Sequence, residues 1–190
     1  PDHNVVLSPV DLHAVVASCA YAVQDHRELQ INMNVPENLF VMADEVELAR
    51  VVSNLFENAR RYGKTPDTET THVDVIAKES EKWVVMRIRD HGKGVPPEQL
   101  SSLTQPFFRG DSARTAAAGA GLGLSIVDKT VQRMGGILAL SNSSSGGLVA
   151  HLQLQRAMGV TAAAAPEKRL QRPQVLRSLP RDKKDEGCED

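Results

Sequence analysis

The chain has 190 residues, 41% of them hydrophobic and 24% charged, with a formal net charge of −2. That mixture is long and apolar enough to bury one core of ordinary size, which excludes a wholly disordered chain. The slight acidic balance speaks against nucleic acid as the main partner.

Residues 5–7 form a short apolar run, read as an edge strand. Ser8-Pro9-Val10-Asp11 then predicts a helix start: hydroxyl N-cap, proline at the first helical position, acid in the first turn. The helix is expected to carry Leu12, Val15, Val16, Cys19, Ala20 and Val23 inward and to end near residues 24–27. Residues 29–35 alternate apolar and polar, the pattern of a half-buried strand, and residues 39–42 make a second short strand after the turn at Pro36-Glu37-Asn38.

Asp44 stands where an N-cap belongs, with Glu47 three residues on and Gly63 placed as a C-cap glycine. Between them Val52, Leu55, Phe56 and Ala59 recur at helical steps. Asn54 and Asn58 are four apart, so both amides project from one face, with Arg61 and Tyr62 on the next turn. Two uncharged amides, a cation and an aromatic suit a metal-bound phosphate beside a flat base. They suit a plain polar helix face equally well.

A polar linker, residues 64–71, leads to two strands, 72–78 and 83–89, joined as a hairpin. Asp90-His91-Gly92-Lys93-Gly94 follows. Glycines after a strand mark a turn, or let backbone approach a ligand beside a carboxylate that accepts from an exocyclic amine. Residues 97–103 predict one or two helical turns before Phe107-Phe108, a pair that suits the core or a hydrophobic latch. Residues 109–120 are small and polar and read as a mobile loop. Gly119-Ala120-Gly121-Leu122-Gly123-Leu124 opens a helix over 121–134; glycines leading into a helix N-terminus expose amides to an anion. Strands at 137–141 and 148–154 close the pattern as a hairpin. The order βαββαββ, loop, αββ predicts an α+β two-layer sandwich, its strands paired largely as hairpins and three helices covering one face. Residues 158–190, with three prolines and charges of both signs, are expected to be a disordered tail.

Cys19 and Cys188 follow no disulfide or metal spacing, which fits a reducing, cytosolic setting. No apolar run reaches the ~18 residues of a membrane span, and no signal peptide opens the chain. The start at Pro1, with neither a methionine nor a leader, predicts a piece of a longer protein and leaves open whether that protein is membrane-anchored.

The Asn-x-x-x-Asn helix, Asp-x-Gly-x-Gly, the Phe pair and Gly-x-Gly-x-Gly, in this order, resemble the N, first-glycine, F and second-glycine boxes of the histidine-kinase catalytic and ATP-binding domain. Pro106-Phe107-Phe108-Arg109-Gly110-Asp111-Ser112-Ala113-Arg114-Thr115 is similar to the EnvZ-like osmosensor kinases. The resemblance covers about residues 5–156, within a domain expected at 1–157. It implies the Bergerat (GHKL) fold shared with gyrase, Hsp90 and MutL: a mixed, mostly antiparallel sheet under three helices. It implies ATP with Mg²⁺ held by Asn58, with Asn54 nearby, Arg61 near the phosphates, and Tyr62 on the adenine or ribose. Asp90 would accept from the adenine amino group beside Gly92 and Gly94. Arg109 and Gly110 would open a lid, and Ala120, Gly121, Leu122, Gly123 and Leu124 would wrap the triphosphate.

Two departures stand out. Ala120 occupies a position where many members carry threonine. No histidine here begins a His-Asp/Glu-x-x-x-Pro acceptor segment. The resemblance therefore implies the phosphoryl-donating part of a longer kinase, in itself a monomer and not autophosphorylating. Its partners would be the dimerisation domain of the same homodimeric kinase and a response regulator. The parent would sit in the bacterial inner membrane with this domain in the cytoplasm. The rivals are a clamp-type ATPase, an anti-sigma-type serine kinase and a nucleotide-binding pseudokinase. Asn54 stands where the clamp-type ATPases carry a water-activating glutamate, which disfavours the first.

Overall fold

A computed structural model describes residues 4–24, 27–104 and 120–160, with side chains of 120–122 outside that description. The central helix, α2 (Glu45–Tyr62), runs over the predicted span. Asp44 is extended and accepts from Glu47 N at 3.1 Å, the N-cap bond read from sequence. Leu48, Val51, Val52, Leu55, Phe56 and Ala59 form its buried stripe. Phe56 is wholly buried, so truncation to alanine would cost about 3–5 kcal/mol.

Two other helices flank it. α1 (Leu12–Gln24) buries Leu12, Val15, Val16, Cys19 and Ala20 as expected, with Val23 packed at the margin. α3 (Ala120–Arg133) contributes Leu124, Val127 and Val131 to the same core. The residues expected to start α1 are instead a strand, β1 (Ser8–Asp11), antiparallel to β3 (Phe40–Ala43) with Val10 opposite Val41. The N-cap of α1 falls on Asp11, whose Oδ1 accepts from Ala14 N at 3.1 Å. Pro9 is tolerated because this two-stranded ribbon leaves an edge free. The strand expected at residues 5–7 is irregular chain.

The main sheet has five strands in the order β2 (Leu29–Asn34), β4 (Thr71–Glu79), β5 (Trp83–Asp90), β7 (Leu148–Gln155), β6 (Ile137–Asn142). The β4–β5 and β6–β7 hairpins form as predicted. β2 departs from the hairpin expectation: it pairs parallel with β4, Ile31 opposite Val73, across the α2 connection, while β3 leaves to join β1. One sheet face packs under the helices through Val73, Val75, Val84, Met86, Ile88, Leu152 and Leu154. The opposite face carries the alternate residues, among them Ile76, Arg87 and His151. Residues 97–103, expected to turn once or twice, form a 3₁₀ helix, Pro97–Ser102. This is the α+β two-layer sandwich predicted, with four of the five strands antiparallel to a neighbour.

Candidate functional site

Where α2, α3 and the ends of β5, β6 and β7 converge, the layers part into a cleft. Leu55, Ala59, Ile88, Leu124, Leu140 and Ala150 give it apolar walls, and among the described residues its polar side chains are Asn58 and Asp90. An apolar cleft with few convergent polar groups is the usual form of a small-molecule site.

Asp90, the last residue of β5, is 6% exposed. Its Oδ1 accepts from Gly92 N at 3.0 Å and Leu148 N at 3.1 Å. Oδ2 accepts nothing among the described residues. Because no buried polar atom there lacks a partner, that oxygen is reached from outside. Burial pushes the Asp90 carboxyl above the usual carboxylate range; the two amides and the nearby His91 and Arg89 oppose this without cancelling it. A desolvated carboxylate with one saturated and one free oxygen is a ready acceptor for a ligand N–H.

Two glycines make room for it. A methyl on Gly63 would stand 2.5 Å from the Asp90 Cβ, and one on Gly147 would overlap the Asp90 carbonyl oxygen. Gly63 has φ −101, so close packing, not a left-handed C-cap turn, requires glycine there. Gly92 packs on Gly63, where a methyl would come within 2.8 Å of its Cα. Gly94 has φ +73 and faces Asn142 Oδ1. The space beside both predicted loop glycines is thus filled by protein. Among the expected glycines that are described, Gly123 opens onto nothing within 4 Å.

Side chains beneath the loops tie them down. Asn142 brackets Val95, accepting from its N at 2.9 Å and donating to its O at 2.6 Å. Arg89 donates twice to Gly146 O, at 3.2 and 3.0 Å. His91 Nε2 lies 2.7 Å from Asp74 Oδ2. Sequence reading missed Gly63, Gly147, Arg89 and Asn142 as parts of the site; the pair Gly146-Gly147 after a polar run was the one available signal.

On α2, neither Asn54 nor Asn58 forms a side-chain hydrogen bond among the described residues. Asn58 lines the cleft, while Asn54 is exposed and borders an adjoining groove with Glu47, Arg50, Thr130 and Arg133. Arg61 and Tyr62 do not line the cleft. Arg61 Nε donates to Glu57 Oε1 at 3.0 Å, and Glu57 also holds Arg60. The Arg60 guanidinium first, then Arg61, keeps the Glu57 carboxyl below its ordinary range against the opposing effect of burial. Ala120, Gly121, Leu122, Gly123 and Leu124 form the first turn and more of α3, whose leading amides have no acceptor within the helix. Leu124 reaches the cleft. Phe107, Phe108, Arg109, Gly110 and the loop at 109–119 lie outside the described residues, as does the tail beyond residue 160.

Residues 43–158 match the model of the family described as histidine kinase-, DNA gyrase B-, and HSP90-like ATPase. The chain belongs to that family. Its relatives are sensor kinases. The C4-dicarboxylate transport sensor protein DctB of Pseudomonas aeruginosa is 32% identical over 168 residues, 87% of this chain and 26% of that one. The signal transduction histidine-protein kinase/phosphatase MprB of Mycolicibacterium paratuberculosis is 34% identical over 146 residues, 76% of this chain and 27% of that one. This chain thus spans about a quarter of the length of these curated relatives. Among solved structures, a mycobacterial sensor histidine kinase MprB superposes with TM-score 0.68 at 28% identity, over 78% of this chain and 98% of that one. The fold is therefore that of the histidine-kinase ATP-binding domain.

Proposed function

We propose that this chain is the catalytic domain of a sensor histidine kinase. It would bind ATP in the cleft and donate the γ-phosphoryl group to a histidine on the dimerisation domain of the same kinase. The observation that supports this most is the Oδ2 of Asp90, which accepts from none of the described residues, within an apolar cleft. It suits the amino group of adenine and conflicts with the carbonyl oxygen that guanine would present. Asn58, unpaired among the described residues in the same cleft, suits a Mg²⁺ ion, with Asn54 one turn away. Such an ion would offset charge on the phosphates. The leading amides of α3 and the open side of Gly123 suit the phosphates themselves. Arg61 would have to leave Glu57 to reach them, and Tyr62 to turn toward the base. Arg109 and Gly110 would open the lid. The stretch 106–115 supports the EnvZ-like subgroup.

Catalysis would then be positioning and charge stabilisation, with no covalent step on this chain. The parent would be a homodimer in the bacterial inner membrane, this domain lying in the cytoplasm, with a response regulator as its onward partner.

Radiolabelled ATP tests the reading. The chain alone should stay unlabelled, and a separately prepared dimerisation domain of its parent should acquire acid-labile, base-stable label when the two are mixed. Label on this chain alone, or acid-stable label on the partner as a serine kinase would leave, would overturn it. Nucleotide binding with no transfer would favour a pseudokinase.

A further inference from the structure

Resting on that reading of Asp90, we propose that Arg89 is a positioning residue for base recognition, acting through the Gly146–Leu148 turn. The chain of contacts is short. Arg89 and Asp90 are neighbours on β5, so their side chains leave opposite faces of the sheet. Asp90 enters the cleft, while Arg89 reaches from the other face and donates through Nε and Nη2 to Gly146 O. The following glycine, Gly147, has φ +90 and packs so closely on the Asp90 carbonyl that no side chain fits. Leu148 then gives its N–H to Asp90 Oδ1. Backbone pairing of β5 with β7 stops one residue earlier, at Arg89 opposite Val149, so the carboxylate takes the place of the next ladder acceptor.

A carboxylate saturated at Oδ1 cannot rotate without breaking two hydrogen bonds, and so presents Oδ2 in one direction. The 146–148 turn supplies one of those bonds; backbone bonds from Ser143 N to Gly147 O and from Gly146 N to Ser143 O close it at one end, and its two glycines leave the rest wide backbone freedom. The paired donation from Arg89 restrains it; a planar guanidinium can hold one carbonyl with two N–H groups, an ammonium cannot do so in the same geometry.

The test compares ATP and GTP affinity, each with Mg²⁺, by calorimetry on the whole chain. Arg89→Met should lower the ATP-to-GTP affinity ratio about tenfold, the scale of one hydrogen bond to a charged group, with GTP affinity little changed. Arg89→Lys, which keeps the charge but donates from one nitrogen instead of two, should fall between and serves if the methionine variant does not fold. Arg87→Met, on the same strand and face without contact to the turn, should leave the ratio intact. A lowered melting temperature with an unchanged ratio in both Arg89 variants would overturn the inference and leave Asp90 as the base reader. Wild-type chain that binds ATP and GTP alike would overturn both.

Discussion

Asp90 shows what burying one carboxylate costs. Its folded-state carboxyl is raised by burial, so the folded chain holds its proton more tightly than the unfolded chain does. The stabilising contribution is therefore complete below the ordinary carboxylate range. It is lost as pH rises through the raised folded value. At neutral pH the ionised group is a liability, so Asp90→Asn, which can still accept from Gly92 and Leu148, should melt higher than wild type. The gap should close on acidification, as scanning calorimetry across pH would show. The same substitution puts a donor where the proposed adenine contact calls for an acceptor, and on that reading ATP affinity should fall about tenfold to a hundredfold. ATP affinity of the wild type should likewise weaken in acid as Asp90 takes up its proton. Asn58→Ala removes the amide that lines the cleft and should reduce Mg²⁺-dependent ATP affinity by about tenfold or more, with binding in EDTA little affected. Asn58 and Asp90 were legible because each sits at a fixed place in a regular element. Gly147 and Arg89 were not, since their roles arise from β5 meeting β7 across 58 residues, Asp90 to Leu148.

At the scale of elements, local signals located most of the chain, and non-local pairing decided the rest. Both ends of α2 were readable because Asp44 caps it by a bond three residues long. The start of α1 misled because Ser8-Pro9 carries a helix-start signature while Val10 is claimed by Val41, a partner thirty-one positions away. Asp11 is the true cap, so Asp11→Ala should cost about 1 kcal/mol in urea denaturation, whereas Ser8→Ala should change nothing measurable. Equal effects at the two positions would restore the earlier helix start. The parallel β2–β4 pair was hidden for the same reason. Two strands with a helix between them read no differently from two strands joined by a turn until their partners are known.

At the scale of the whole molecule, the five-stranded sheet has, among the described residues, one face away from the helices and two edges. β6 is one of those edges, paired on one side with β7 and, among the described residues, with no strand on the other. Its sequence, Ile137-Leu138-Ala139-Leu140-Ser141-Asn142, holds no charge, and Ile137 is 56% exposed. Natural edges commonly carry a lysine, a proline or a bulge that discourages a second chain from adding its own strand. This one carries none of the three. Crowded or warmed chains should therefore associate edge to edge, and the defect should be curable at one position. Ala139→Lys places a charge on the exposed side of β6, and light scattering on heating at high concentration should fall while melting temperature and ATP affinity hold. Scattering unchanged by that lysine would mean that the clumping begins elsewhere. The lifetime of this domain in concentrated solution would then be set by a different surface from the strand that borders its cleft.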